Sequence, residues 1–213
     1  MNEIRATFIE ASNIASAVMS DRAIRAGWDG PSALEHWSLR GLAGHLVRGT
    51  TSVEHYLNMD EAPAEDPITP YEYYASAVGD DTDLSSELHR AIRQRGEDMA
   101  EQGFDALVEH QRATIERLRG RFETEPGNRK VRVYTDVVLL LDDYLVTRLV
   151  ELTLHIDDLA VSAGLETPPL PLRATELAIG NLVDVAKHRH GDLAVLRALA
   201  RRERDKIFAL RVL

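Results

Sequence analysis

The chain has 213 residues, of which 44% are hydrophobic and 28% charged, a composition typical of a globular domain and too apolar for a disordered chain. Its net charge of −10 argues against binding to nucleic acid or an anionic membrane, because the overall positive charge that attracts phosphate is missing. The absence of cysteine excludes disulfides, zinc sites built on thiolates and a protein thiol nucleophile.

The length fits one large domain or two small ones, and we expect a single domain over residues 1–213. No apolar run approaches the roughly 20 residues that cross a bilayer, and residues 1–9 lack a signal-peptide core, so we expect a cytoplasmic protein. The basic residues include only three lysines among 25, an arginine bias that suits a GC-rich genome.

Helical periodicity dominates from the N-terminus onward. Apolar residues at spacings of three and four predict a first helix over residues 2–26. A second helix is expected from Ser38 to about Met59, because a serine hydroxyl can accept a free backbone N–H at a helix start. Three prolines and four acids in residues 60–70 predict a connector.

The remaining chain also has the pattern of helices. They are predicted over 83–122 with a break near Gly96 or Gly103, over 135–163 with Gly164 as the terminating residue, and over 172–188 and 192–202. Residues 203–213 either continue as helix or pack irregularly. Four long amphipathic segments with short connectors predict an all-α fold, a four-helix bundle with extra short C-terminal helices.

The fourth long helix carries a polar stripe within an apolar sequence. Tyr144, Arg148, Glu151, His155 and Asp158 follow one another at spacings of four, three, four and three, so they share one helix face. The stripe can face solvent, form an internal hydrogen-bonded network, or bind a metal through Glu151 and His155, since residues one turn apart can share an ion. The spacing alone leaves these three interpretations open.

A further candidate ligand, His45, lies in the second helix. Gly41, Gly44 and Gly49 in the same helix predict close packing against a neighbour, because each glycine costs about 1 kcal/mol of helix stability relative to alanine. His45 with Glu151 and His155 would form a site of two histidines and one carboxylate with an open coordination position. The alternative for His45 is a core histidine hydrogen-bonded to a carbonyl.

Two sequence blocks then stand out together. They are W-S-x-x-x-L-x-x-H-L at residues 37–46 and R-x-x-E-x-x-x-H-x-x-D-L-A at residues 148–160. The first resembles the DinB-like superfamily, and the second resembles the metal-binding domain of mycothiol-dependent maleylpyruvate isomerases. The resemblance extends over nearly the whole chain in order and spacing.

This resemblance implies a bundle holding one divalent metal, usually zinc, with His45, Glu151 and His155 as ligands. It implies a transferase or isomerase that uses mycothiol or a similar thiol on a small electrophilic substrate. Arg48 and Arg148 would bind anionic groups, and Tyr144 would line the pocket or donate a proton. The alternatives are a surface ion pair for Arg48, which its position on the helix favours, and support of Glu151 by Arg148. An actinobacterial source and a homodimer would also agree with the resemblance.

Two other functions remain open from the sequence. The same bundle can carry a metal-dependent hydrolase that activates water, or a non-catalytic metal-binding or stress-response module. Two departures from the family pattern bear on the choice. Gly41 replaces an acidic residue of a capping box, which concerns stability more than chemistry. The isomerases that the chain resembles carry a second C-terminal domain that contributes to the site, whereas only ~50 residues follow Gly164 here, so we do not expect maleylpyruvate itself as the substrate.

Overall fold

The structure is a computed structural model, and it describes residues 1–61, 65–77, 83–201, 210 and 212. Within these residues the chain forms nine α-helices and one small antiparallel hairpin. The elements are α1 (Glu3–Met19), α2 (Arg22–Ala26), α3 (Leu39–Leu57), α4 (Pro70–Ala77), α5 (Glu87–Met99), α6 (Phe104–Phe122), β1 (Lys130–Arg132), β2 (Val138–Leu140), α7 (Leu141–Ser162), α8 (Leu172–His190) and α9 (Asp192–Ala200).

Four of these helices form the predicted bundle. Helices α1 and α3 each pack against both α6 and α7, and the core between them is apolar and fully buried, with Phe8, Leu42, Ile115 and Leu149 all at most 1% exposed. Helix α5 packs on α3, α8 covers α4 and α7, and α9 packs on α8. The all-α, DinB-like bundle with extra C-terminal helices is therefore confirmed. Among the described residues, no helix is both long and apolar enough to cross a membrane.

The first predicted helix is in fact two helices. Helix α1 ends at Met19, and the side chain of Asp21 accepts a hydrogen bond of 2.8 Å from the Ala23 N–H at the start of α2. Apolar periodicity misses this break, because the stripe continues through it while the local cap interrupts the backbone hydrogen bonds.

The helical region predicted over residues 83–122 is divided into two helices, and the break lies at Gly103, one of the two glycines predicted for it. It begins at Glu87 rather than Asp83, because Ser86 caps the helix by accepting from the His89 N–H at 3.2 Å. The break between α5 and α6 lies at Gly103, whose φ of 90° favours glycine. A break at Gly96 is wrong, since this residue lies buried inside α5.

The start of the fourth long helix was predicted too early, but its end was predicted correctly. Residues 130–140 form the hairpin β1–β2 around a short 3-10 turn, and α7 begins only at Leu141. A short apolar run such as residues 137–141 has no period that separates strand from helix. At the other end, Gly164 has φ of 69°, and the Leu165 N–H donates to the Ala160 carbonyl at 2.9 Å, which closes the helix.

The connector and the C-terminal helices differ in smaller ways. The predicted connector ends where α4 begins, at Pro70, and the sequence analysis missed α4 entirely. Helix α8 continues two residues beyond its predicted end, to His190, and α9 ends at Ala200. Most of the tail considered over residues 203–213 lies outside the described residues.

Helices α3 and α5 approach each other through facing glycines. A Cβ placed on Gly44 would collide with the carbonyl oxygen of Gly96, and one on Gly41 would lie 2.6 Å from Oε1 of Glu97. Glu97 occupies this space, where it accepts hydrogen bonds from the Ser38 hydroxyl and from Arg40 Nε, the latter at 2.7 Å. The capping residue Ser38 therefore gains its acidic partner from α5 rather than from its own helix.

Replacing Gly44 with alanine is expected to destabilise the protein by about 2–3 kcal/mol, because the new methyl group meets rigid backbone and the two helices must separate. Gly120→Ala is the matched control. An added Cβ there meets nothing within 4 Å, so it should stabilise α6 by about 0.5–1 kcal/mol. Urea unfolding of both variants measures the difference. Equal midpoints would show that the close approach is not needed.

Candidate metal centre

Two facing helices bring three potential ligands together. His45 lies in the middle of α3, while Glu151 and His155 lie one turn apart on α7. The Nε2 atom of His45 is 3.4 Å from Oε2 of Glu151, and the Nε2 atom of His155 is 3.5 Å from the same oxygen. One ligand atom from each residue lies within 4.8 Å of the others, and the side chains are only 16–20% exposed.

These spacings fit a shared ion better than a hydrogen-bonded cluster. Ligand atoms at the corners of a tetrahedron with bonds of about 2.0–2.1 Å are roughly 3.3–3.4 Å apart, close to the 3.4 and 3.5 Å observed here. Strong hydrogen bonds between an imidazole and a carboxylate are shorter, about 2.7–2.9 Å. The Nδ1 atom of His45 is buried and has no hydrogen-bond partner among the described residues, which does not support the alternative of a core histidine bonded to a carbonyl.

Two further side chains orient the candidate ligands. The carboxylate of Asp158 lies 2.9 Å from Nδ1 of His155, which directs the Nε2 atom of that ring toward Glu151. The buried hydroxyl of Tyr74 lies 2.9 Å from Oε1 of Glu151, which leaves Oε2 facing the histidines. An acid behind a ligating histidine and a donor behind a ligating carboxylate are typical of metal sites.

Tyr74 was missed because it lies on α4, directly after the predicted connector. A signal for this helix is present in the sequence. Thr69 and Glu72 have the spacing of a capping box, and one half of it is formed: the carboxylate of Glu72 accepts from the Thr69 N–H at 2.8 Å, and also from its hydroxyl at 2.6 Å. Pro70 then occupies the first helical position, where its missing N–H costs nothing.

The pKa values of the three groups respond to burial and to each other. Burial alone would raise the pKa of Glu151, but hydrogen bonds from His155 and His45 and the charge of Arg148 hold it well below its usual range. Burial would lower the pKa of His155, but Asp158 and Glu151 outweigh it and raise this pKa to about 9. The pKa of His45 is lowered, chiefly by burial.

The polar stripe of α7 does not face solvent. Tyr144 is 1% exposed, the other four members are partly buried, and the exposed positions of the helix are instead Leu154, Asp157 and Val161. The solvent-facing interpretation of the stripe is therefore wrong. The metal and network interpretations involve the same groups, and the spacing of the ligand atoms favours the metal.

A cavity of about 150 Å³ opens beside the candidate centre, and two of the three candidate ligands, His45 and Glu151, line it. Its lining includes the three residues predicted to assist the reaction: Arg48, Tyr144 and Arg148. The hydroxyl of Tyr144 donates to Ser52 at 2.9 Å, and burial raises the pKa of Tyr144. The guanidinium of Arg148 lies over the Tyr144 ring, with its Cζ 5.0 Å from the centroid.

The bundle is DinB-like, and two of its helices present two histidines and a carboxylate that could hold a metal ion. Comparison with known protein families matches residues 13–160 to the mycothiol maleylpyruvate isomerase N-terminal domain. The chain belongs to this family, and the matched segment contains all three candidate ligands. The comparison with curated proteins found no match, and neither did the comparison with solved structures.

Proposed function

We propose that the protein is a metal-dependent transferase or isomerase that uses mycothiol or a similar small thiol on an electrophilic substrate. The observation that carries this proposal is the placement of His45, Glu151 and His155 beside a cavity, in a chain of the mycothiol maleylpyruvate isomerase N-terminal domain family. In this proposal the protein acts in the cytoplasm, and its partners are the thiol and a small-molecule substrate.

The donor set suits a divalent metal, and zinc in particular. His45 Nε2, Glu151 Oε2 and His155 Nε2 would hold it, which matches the nitrogen and oxygen ligands that zinc accepts and leaves a position open. Zinc bound there would supply a Lewis acid that keeps a thiol sulfur in its nucleophilic thiolate form. Because the chain has no cysteine, the thiol has to come from outside it, and in this proposal a small molecule supplies it.

The remaining residues of the site position and select the reactants in this proposal. Tyr74 and Asp158 orient the ligands, while Arg48 and Arg148 present positive charge to the substrate within the cavity. Tyr144 keeps its proton because its pKa is raised, and its bond to Ser52 holds the ring beneath Arg148. We therefore assign Tyr144 to shaping the cavity and donating hydrogen bonds.

Replacing Asp158 with asparagine is expected to weaken zinc binding by about 10–100-fold, the usual effect of removing the acid behind a ligating histidine. Both affinities are compared at pH 9.5, where His155 is deprotonated in either protein; at pH 7 the loss is smaller, because removing Asp158 also lowers the pKa of His155 and less proton has to be displaced. Asp157→Asn is the matched control, because Asp157 is exposed on the same helix and bonds Thr167 instead. Competition with a chromophoric chelator measures both affinities, and equal values would contradict this role for Asp158.

Zinc affinity should also depend on pH in a defined direction. With its pKa raised to about 9, His155 is protonated at pH 7 and must lose a proton on binding, whereas His45, with a lowered pKa, is already neutral. The apparent affinity should therefore rise about ten-fold per pH unit from pH 7 and level off near pH 9. In the Asp158→Asn variant the plateau should begin at a lower pH. The same chelator titration at several pH values tests this, and a flat profile from pH 7 to 9 would contradict it.

Thiol consumption tests the proposed activity. Zinc-loaded protein is incubated with mycothiol and a chromogenic electrophile, with metal-free protein as the control. We expect adduct formation to require both the metal and the thiol. Turnover of an activated ester without any thiol would instead support a hydrolase. No turnover in either assay by protein that retains its metal would support the non-catalytic module.

A further inference from the structure

The cavity beside the candidate metal centre has an unusual balance of charge. Three of the described residues that line it are arginines, Arg48, Arg95 and Arg148, and one is a carboxylate, Glu151. This excess of positive charge occurs in a chain whose net charge is −10. The carboxylate is already engaged by Tyr74 and lies beside the two histidines, so it does not neutralise the cavity.

Nine of the 19 arginines in the described residues form ion pairs with acids. Arg5 pairs with Asp142 at 2.8 Å and Arg117 with Glu54 at 2.6 Å, for example. Within the described part of the chain, by contrast, neither Arg48 nor Arg95 has an acidic side chain within ion-pair distance. Charged groups that are partly removed from water without a partner are costly, and they are retained mainly where a ligand provides the partner.

Arg48 and Arg95 also lie close to each other. Arg48 projects from α3 and Arg95 from α5, the two helices that the facing glycines hold in close contact. Both side chains are half-buried, and both line the cavity and the groove next to it. Burial lowers the pKa of Arg48, and repulsion from Arg95 lowers it further. An anion bound between them would relieve that repulsion.

The rest of the lining indicates what kind of anion fits. Leu88, Ile92 and the ring of Tyr134 surround the arginines, and the Cζ atom of Arg95 is 5.3 Å from the centroid of that ring. Aliphatic and aromatic walls favour an organic group over a small hydrated inorganic ion. Paired guanidinium groups suit a planar carboxylate, because each can donate two parallel hydrogen bonds.

We propose that Arg48 and Arg95 form a subsite for the carboxylate of an organic acid, and that they select anionic substrates for the adjacent centre. This inference deepens the proposed function, since it names the class of substrate, but the anion subsite itself needs neither metal nor thiol. Arg95 was not among the residues predicted from the sequence, because its helix carries several arginines and only the packing of α5 on α3 distinguishes it.

Calorimetric titration of the metal-free full-length chain with benzoate tests the subsite. The metal is removed so that the carboxylate cannot bind to it instead. We expect benzoate to bind and benzamide, its neutral counterpart of the same shape, to bind about ten- to hundred-fold more weakly. Absence of benzoate binding, or equal binding of benzamide, would overturn the proposal. Inorganic phosphate binding as tightly as benzoate would overturn the assignment to an organic acid.

Arg95→Gln should weaken benzoate binding by about ten- to hundred-fold, and Arg95→Lys should restore part of the loss. Arg90→Gln is the matched control, because Arg90 lies on the same helix, is exposed and does not line the cavity. Circular dichroism confirms that each variant is folded. Equal binding by the Arg95→Gln and Arg90→Gln variants would overturn the role of Arg95.

The zinc content of the same variants separates this proposal from the proposed function. Wild-type protein that binds benzoate but never takes up zinc would leave the subsite standing and refute the metal-dependent activity. Protein that binds zinc and consumes thiol but does not bind benzoate would support the metal-dependent activity and refute the subsite.

Discussion

Replacing Glu151 with glutamine is expected to reduce zinc affinity by more than about 100-fold. That figure is the upper range for variants that remove only a hydrogen-bond partner of a ligand, whereas this variant alters a ligand itself. Glu151 supplies the only negative charge among the three candidate ligands, and its Oε2 atom lies nearly equidistant from the two histidine nitrogens. Glutamine keeps the shape of the side chain and can still accept from Tyr74, so the helix packing should persist. Competition with a chelator measures the affinity, and circular dichroism measures the fold.

The control for this variant is Glu54→Gln. Glu54 is a carboxylate on α3 that pairs with Arg117 and is remote from the three ligand atoms, so its loss should leave zinc affinity unchanged. A Glu151→Gln protein that binds zinc as tightly as the wild type would show that the metal, if bound, is held elsewhere.

The largest effect on stability is expected from Arg5→Met, which should cost about 3–5 kcal/mol in the free energy of unfolding. Arg5 is 3% exposed, and its Nε atom donates to Asp142 at 2.8 Å. Its other nitrogens donate to the carbonyls of Glu125 at 2.6 Å and Pro126 at 2.9 Å, at the end of the turn after α6. Methionine fills the volume but leaves these buried acceptors without donors.

Arg25→Met provides the comparison, because Arg25 forms an exposed ion pair with Asp105 on the surface. Exposed pairs of this kind contribute little, so its unfolding curve should overlay that of the wild type. Urea denaturation of the three proteins measures the difference. A midpoint for Arg5→Met equal to that of Arg25→Met would show that the turn after α6 does not depend on Arg5.

The features predicted well from the sequence are those decided by a few neighbouring residues. The cap at Ser38 is present, with its hydroxyl 2.9 Å from the Gly41 N–H, and the helix stop at Gly164 has the expected left-handed backbone. Two ligand candidates one turn apart on a helix necessarily share a face, so the proximity of Glu151 and His155 also follows from local geometry.

The features that the sequence did not reveal depend on contacts between distant segments. Arg5 has the sequence context of a surface residue near the N-terminus, and its burial follows only from the approach of residues 122–126 and Asp142. Glu97 lies 59 residues from the cap that it supports. Tyr74 was within reach of sequence reasoning through its capping box, although its contact with Glu151 was not.

The position of His45 lies between these two cases. The glycines of α3 predicted a close neighbour, and the structure shows two: Gly41 and Gly44 face α5, while Gly49 faces Leu152 on α7, the helix that His45 also faces. Gly41 and Gly44 fix the packing of α3 against α5, which places Arg95 beside Arg48. Which neighbour each glycine meets could not be read from the sequence.

Anomalous diffraction at the zinc edge, from crystals of the zinc-loaded protein, tests the central claim most directly. We predict one strong peak per chain, within about 2.0–2.2 Å of His45 Nε2, Glu151 Oε2 and His155 Nε2. Absence of a peak at this position, or a peak bound by other residues, would contradict the account. The buried polar groups of α7 would then form a hydrogen-bonded network without a metal.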